Sequence, residues 1–467
     1  VRAGLLFLYH PRMTRLRLSG IVFLLAAVSV LAAPAQRPAP GQGAGGRPLA
    51  LVGGMLITGY EVPPTHHAAV VIEGDRIVAA GPASEVTIPQ GATIIDTSGR
   101  TMMPGLIESH AHLVILGDGE YTRWFAWIDK HGRDTMLPRV MAISARQLLM
   151  AGITTAVDLG APLAESLAIR QRIAKGEIPG PRMMMSGPWL TRTPAIFPPD
   201  YQIKVTSPEQ AAEETEKLAA AGVDVIKAHA GLTFEDYKAI VAAAHRHSLK
   251  VIAHVYAETD VRHALDAGVD VLTHAGSAGT APPYSPELIR DIVNSGRPVV
   301  VTAAHRSWIY PDTAAFPERL EDPRLKADFG PDIWAEVHDS LKDWPALAYF
   351  ARTDREMFFR ERGIKQFIEA GAVMGMGTDN GTPMNFHTDA LWREIKVHVD
   401  MGMSPLRAIG AATRVNANIL GRGRDVGTVE RGKLADVIVV DGDPLFDITA
   451  LAHVETVVKG GVVFQAR

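Results

Sequence analysis

Short apolar runs recur along the whole chain, and those in its middle tend to stop at a polar residue. Near the start, Ala68-Ala69-Val70-Val71-Ile72 leads into Glu73-Gly74-Asp75-Arg76 and out again as Ile77-Val78-Ala79-Ala80. Two β-propensity runs around a Gly-Asp turn predict a hairpin. Thr93-Ile94-Ile95-Asp96 reads as another strand. The far end looks the same: residues 435–440 and 454–458 read as strands, with Lys459-Gly460-Gly461 as a turn. The β-rich segments 49–100 and 425–467 therefore predict one small discontinuous β-sandwich domain built from both ends. Between them strand alternates with helix. Candidate strands cover 105–109, 154–159, 182–186, 223–228, 250–254, 269–274, 298–303 and 372–377. Helical patterns lie between, such as Pro208–Ala221, 233–247 and 259–267. In the first of these a proline sits in the first turn and Gly222 closes the far end, as helix termini prefer. Strict alternation predicts a parallel sheet with right-handed crossovers, and eight strands close a barrel. The expected fold is α/β: a (β/α)8 TIM barrel over 101–424 carrying the β-sandwich.

Two connections are long. Residues 113–137 follow the first strand and carry Tyr121, Trp124, Phe125 and Trp127. Residues 304–369 follow the seventh and carry Trp308, Tyr310, Trp334, Trp344, Tyr349 and Phe350. Loops of this size are uncommon unless functional. An added helical layer and a lid over the site, the latter from the 304–369 insertion, are both open readings.

Composition narrows the class. The 467 residues are 47% hydrophobic and 21% charged with a formal net charge of −4, which suits a globular enzyme and gives no reason to expect a nucleic-acid partner. Cysteine is absent, which excludes disulfides, thiolate ligands and a cysteine nucleophile and leaves imidazole and carboxylate as metal ligands. Arg15 and Arg17 precede an apolar stretch over 21–33 and the small-residue site Ala33-Pro34-Ala35. That order predicts a signal peptide over 1–35, with Met13 as the expected start, rather than a membrane anchor. Residues 36–48 are rich in Pro and Gly and read as a disordered linker. A periplasmic or secreted protein follows, with no membrane anchor left after cleavage and a small-molecule substrate as partner; assembly into a homo-oligomer stays open.

Six polar residues close apolar runs: His110, His112, Lys227, His254, His274 and Asp379. His110 and His112 alternate with Ala111, so in an extended strand both rings face one side. Lys227 ends Val223-Asp224-Val225-Ile226. A lysine inside a barrel loses hydration unless neutral or paired. Taken alone, pairing with an acid such as Asp224 is the simpler account. A neutral amine can instead take up carbon dioxide as an anionic carbamate whose two oxygens bridge two cations. A barrel gathers all these strand ends at its C-terminal face, where the six together read as the ligands of two divalent metal ions.

The residues also carry a family likeness. Met103-Pro104-Gly105-Leu106-Ile107-Glu108-Ser109-His110-Ala111-His112, Gly377-Thr378-Asp379 and Gly427-Thr428-Val429-Glu430-Arg431-Gly432-Lys433-Leu434-Ala435-Asp436 resemble motifs of the metal-dependent amidohydrolase superfamily. Within it the chain is most similar to the imidazolonepropionase-like and Xaa-Pro or Xaa-Arg dipeptidase group. The likeness runs from Leu49 onward. It implies that His110, His112 and Asp379 hold one metal, that His254 and His274 hold the second, and that carboxylated Lys227 bridges them. It also implies amide (C–N) hydrolysis of an N-acyl amino acid or dipeptide by metal-activated hydroxide, with Asp379 as base and then acid. Zinc is the default from the ligand types, with manganese, cobalt and iron as alternatives. Imidazolonepropionase resembles a one-metal enzyme without the lysine, so Lys227 argues against that reaction here. His229 and Tyr256, two residues beyond Lys227 and His254, are candidates to hold a substrate oxygen or carboxylate, with simple packing as the other reading. A lactonase or phosphotriesterase, a one-metal cyclic-imide hydrolase or deaminase, and a non-catalytic scaffold are the competing readings.

Overall fold

The hairpin Ala68–Glu73 and Arg76–Pro82 turns at Gly74 and is extended by Leu49–Val52 and Thr93–Asp96 into a four-stranded sheet. A five-stranded sheet, in the order Val462–Gln465, Val454–Lys459, Val437–Asp441, Arg100–Pro104, Met55–Leu56, mixes strands from both halves of the sequence. Alternate residues of the two sheets, among them Leu51, Val70, Ile72, Met102, Val437 and Val439, share one buried apolar cluster. Period-2 burial of this kind is what fixes strand register. The computed structural model describes residues 46–276, 283–305, 308–351 and 353–465. The expected signal peptide and all but the end of the expected linker lie outside them.

Strand Arg100–Pro104 runs on through Gly105 into Leu106–Ala111, the first of a parallel series. Leu106–Ala111 pairs with Ile153–Asp158, and that with Arg182–Met185. Trp189–Thr191 pairs with Val225–Ala228, followed in order by Lys250–His254, Val271–Thr273, Val299–Val300 and Met374–Gly375, every pair parallel. The N–H of Asp224 donates to Met185 O at 2.8 Å, and the N–H of Asp379 to His110 O at 2.9 Å, so hydrogen bonds also join the two parallel sheets to each other and the end of the series to its beginning. These strands are nearly continuous apolar runs, as parallel strands covered on both faces are.

The helices form where their end signals stand. Ser207 caps Pro208–Ala221 through the Gln210 N–H, and Gly222 (φ 87°) ends it. Thr233 and Asp236 make a reciprocal capping box at the start of Phe234–Arg246.

Close approach shapes the last strand. A Cβ at Gly377 would stand 2.7 Å from Val300 Cγ1 and 2.8 Å from His110 Cβ, so only glycine fits beside the first strand. Asn416, just after the π-helical turn Ala411–Val415, holds the same seam. Its Nδ2 donates to Ile107 O (2.5 Å) and Met376 O (2.6 Å), and its Oδ1 accepts from Met376 N (3.0 Å).

Several sequence expectations need correction. The third strand is not one run over 182–186: Gly187 (φ 64°) and Pro188 break it, and it resumes as Trp189–Thr191, beside an unforeseen short strand Gln202–Lys204. The strands expected at 269–274, 298–303 and 372–377 shrink to Val271–Thr273, Val299–Val300 and Met374–Gly375. Their polar ends leave the extended conformation to turn into the site. The long connections are largely helical: Tyr121–Lys130 in the first, and Ile309–Ala315, Pro323–Ser340 and Thr353–Glu369 in the second.

Candidate active site

Each of the six residues stands at or just beyond the C-terminal end of a parallel strand. His110 and His112 lie on and after Leu106–Ala111; Lys227 is in Val225–Ala228 and His254 ends Lys250–His254. His274 follows Val271–Thr273, and Asp379 follows Met374–Gly375. Two of these strand ends are forced into the left-handed region: His274 has φ 64° and Asp379 has φ 55°, and Thr302, at the equivalent place after Val299–Val300, has φ 49°. Residues with a Cβ adopt this conformation at a cost that surrounding contacts must offset, and such sites cluster where function demands a direction.

The rings converge. His112 Nε2 lies 2.9 Å and His110 Nε2 3.5 Å from Asp379 Oδ1. The ligating atoms of these three residues all fall within 4.8 Å of one another, close enough to hold one metal ion. His274 packs at an angle against both neighbours, 4.6 Å from His110 and 4.4 Å from His254, ring centre to ring centre. Lys227 Nζ lies 3.5 Å from His110 Nε2 and donates to Thr273 Oγ1 at 3.2 Å. Its sequence-level alternative, a pair with Asp224, does not form: Asp224 binds Arg170 instead. His229 and Tyr256 face the same cavity of about 240 Å³, with ring centres 4.1 and 4.6 Å from that of His254.

Burial sets the charge of the cluster. It pushes His110, His254 and His274 well below the ordinary histidine range, aided in each case by neighbouring cationic groups. His229 falls to about 3 for the same reason. Burial brings Lys227 down to about 7, against a small upward pull from Asp379. Burial also works to raise Asp379, but His305, the hydrogen bond with His112 and the charge of His110 prevail and hold it well below the carboxylate range. His110, His254 and His274 are thus neutral imidazoles, set beside one carboxylate and one amine close to its neutral form. Neutral imidazole nitrogens and a carboxylate are the donors that divalent transition metals take, and those of His110, His112 and Asp379 already stand close enough to share one ion. The residues fit such ions.

Several functional side chains escaped the sequence reading. His305 Nε2 lies 3.3 Å from Asp379 Oδ2 and bonds the Tyr349 hydroxyl. The signal for it existed, an apolar strand ending in histidine, but Ala303 and Ala304 separate it from the run. Glu394, fully buried, accepts from the N–H groups of Ala303 and Ala304 at 2.8 and 2.7 Å and so fixes the turn that delivers His305. Glu108 does the same for the first and last strands, accepting from His110 N at 2.8 Å and from Thr378. Tyr121 and Tyr349, one from each long connection, line the cavity with Trp189 and Phe197.

Residues 101–464 match the profile of the amidohydrolase family. Imidazolonepropionase of Geobacillus sp. (strain WCH70) is 23% identical over 419 residues, spanning 85% of this chain and 90% of that protein. A 51-residue stretch is 49% identical to imidazolonepropionase of Streptomyces griseus, which is 11% of this chain and 13% of that one. Among solved structures, a Xaa-Pro dipeptidase with methionine bound in its active site superposes with a TM-score of 0.71 at 22% identity, covering 90% of this chain and all of the other (100%).

Proposed function

This chain belongs to the amidohydrolase family, and we propose that it is a binuclear metallohydrolase that cleaves a C–N amide bond in an N-acyl amino acid or dipeptide-like substrate. One observation carries the reading: His110, His112, His254, His274 and Asp379 line a single cavity, and Lys227 lies against it with its Nζ 3.5 Å from His110 Nε2. In this reading the parallel series is a closed (β/α)8 barrel that begins at Leu106 rather than at 101 and runs to 424, because Arg100–Pro104 belongs with segments 49–100 and 425–467 in the β-sandwich. The hydrogen bonds from Asp224 to Met185 and from Asp379 to His110 support the closure.

His110, His112 and Asp379 would hold one ion, and His254 and His274 a second, with zinc as the default from the donor types. Lys227, poised near neutrality in a dry setting, is suited to carry a carbamate between them. When bound, divalent cations acidify water and polarise a carbonyl oxygen. Asp379 takes the proton of the attacking water and delivers it to the leaving nitrogen. His305, 3.3 Å from its second oxygen, holds that carboxylate in place through each transfer. His229 and Tyr256 line the cavity beside His254 and are positioned to hold the substrate carbonyl or carboxylate. The insertion over 304–369 acts as a lid, reaching the cavity through His305 and Tyr349. The basic and apolar N-terminal stretch supports export to the periplasm or medium, which fractionation of expressing cells would check.

Elemental analysis of the purified protein, paired with hydrolysis of N-acyl amino acids, dipeptides, lactones and phosphotriesters, tests the proposal. We expect two metals per chain and preferential turnover of the amides. Chelation should abolish activity, and Lys227→Ala and Asp379→Asn should each lower kcat by roughly 10²–10⁴-fold. Near-full metal-dependent turnover in either variant would remove the assigned roles. A single metal and an unmodified Lys227 would move the chain to the one-metal hydrolases.

A further inference from the structure

One wall of the cavity is built differently from the rest. On the side of His112 and His229 it consists of Tyr121, Trp189, Ile196 and Phe197. The rings interlock: Phe197 packs 4.9 Å from Tyr121 and edge-on to Trp189 at 5.2 Å, while Trp189 stacks on His229 at 5.0 Å. Behind them Phe125 and Tyr201 back Phe197 at 5.3 and 6.0 Å. The wall is anchored by hydrogen bonds as well as by packing. Gln202 reaches back over the loop, accepting from Ala195 N (2.9 Å) and donating to Ala195 O (3.1 Å) and Phe197 O (3.0 Å). Both ends of the segment carrying Ile196 are therefore fixed before any ligand arrives, and preorganised walls hold ligands at lower entropic cost.

Ile196 faces the cavity yet is 67% exposed, the second most exposed large apolar side chain among the described residues. An isoleucine fixed in water at the rim of a concave site gains by covering an apolar ligand. Fixed aromatic rings in edge-to-face contact offer a further ring the same favourable geometry. Size agrees: apolar cavities of about 150 Å³ hold benzene, so about 240 Å³ admits a ring together with the amide it is attached to.

We infer that this wall is a specificity subsite for an aromatic or comparably bulky apolar group next to the scissile bond, clasped by Tyr121, Trp189, Phe197 and Ile196. The preferred substrates are then amides bearing an aryl or aralkyl substituent rather than small or charged ones. This rests on the amide-hydrolase reading for its reaction, and on the wall alone for its selectivity.

The test separates the two. Isothermal titration of the metal-loaded full chain with benzylphosphonate and with methylphosphonate, neither of them hydrolysable, measures the contribution of the ring without turnover. We expect benzylphosphonate to bind at least about tenfold more tightly, from the burial of one ring. The ratio should collapse towards one in Phe197→Ala and in Ile196→Ser, the latter a surface change that leaves the fold in place. Equal affinities, no binding of either anion, or a ratio that survives both variants would overturn the subsite. Hydrolysis of N-benzoylglycine against N-acetylglycine is scored independently. Turnover of both at equal efficiency, with equal phosphonate affinities, keeps the reaction and discards the subsite. Ring-selective binding with no hydrolysis of any amide keeps the subsite and discards the reaction.

Discussion

Glu108 accepts two hydrogen bonds from Thr378, one from its backbone N–H at 3.1 Å and one from its hydroxyl at 2.7 Å. The same carboxylate takes the His110 N–H at 2.8 Å. A single fully buried side chain thereby ties the strand of His110 to the segment of Asp379. Removing it strands buried N–H groups, each worth about 1–3 kcal/mol. We expect Glu108→Ala to cost on the order of 3 kcal/mol of stability and to lower bound metal, with Glu108→Gln milder because it retains an acceptor. Thermal melts together with metal content check this.

Asn416 makes three hydrogen bonds across the same seam, to Ile107 and Met376. Leucine is close in volume but can make none of them. Asn416→Leu should therefore destabilise by roughly 2–4 kcal/mol, more than a surface change, which stays within about 0.5. Denaturant midpoints of the two kinds of variant give the comparison.

His305 supports Asp379 from the far side, 3.3 Å from its second carboxylate oxygen. His305→Asn should leave the melting temperature close to that of the parent while lowering kcat by about ten- to a hundredfold, since it touches the carboxylate that moves the proton. Because that carboxylate loses a cationic neighbour, the acid limb of the pH–rate profile should move upward. A drop in stability with an unchanged profile would mean that His305 serves packing alone.

Asp118 gives a pH signature of its own, in stability rather than in turnover. It is buried, Oδ1 accepts from Glu120 N at 3.1 Å, and burial raises it from 3.8 to about 7. The folded chain therefore keeps this proton between about pH 4 and 7 while the unfolded chain has lost it. Stability falls as pH rises through that window, and the penalty is complete above pH 7. Asp118→Asn keeps the acceptor without the charge. It should be more stable than the parent at pH 8, by up to a few kcal/mol, and equal to it near pH 4. Melts across the range decide it.

Much of the cluster was readable because its polar residues coincide with a change of pattern. His110, His112, Lys227, His254 and Asp379 each interrupt an apolar run, and parallel strands bring such interruptions to one face. Helix Pro208–Ala221 was readable to the residue because Ser207, Pro208 and Gly222 mark its ends. What stayed hidden depends on contacts between distant segments. Trp189 reads as core in any local window, and only its neighbours Phe197 and His229 make it a wall. His305 is delivered by a turn that Glu394, 89 positions onward from His305, holds through Ala303 and Ala304 (sequence separations of 91 and 90). The short sixth and seventh strands end early because His274 and Thr302 turn left-handed, which no propensity announces.

The strand Arg100–Pro104 finds its antiparallel neighbour in Val437–Asp441, and Thr101 bonds Gly442 across 341 positions of sequence. Translation must therefore run on through the 341 positions between them before this edge can be covered, and contacts so remote are slow to form. Through that interval Met102 and Met103 remain available to chaperones and to neighbouring nascent chains. Yield in a heterologous host should accordingly depend on translation speed and on holdase supply more than on the thermodynamics of the finished protein.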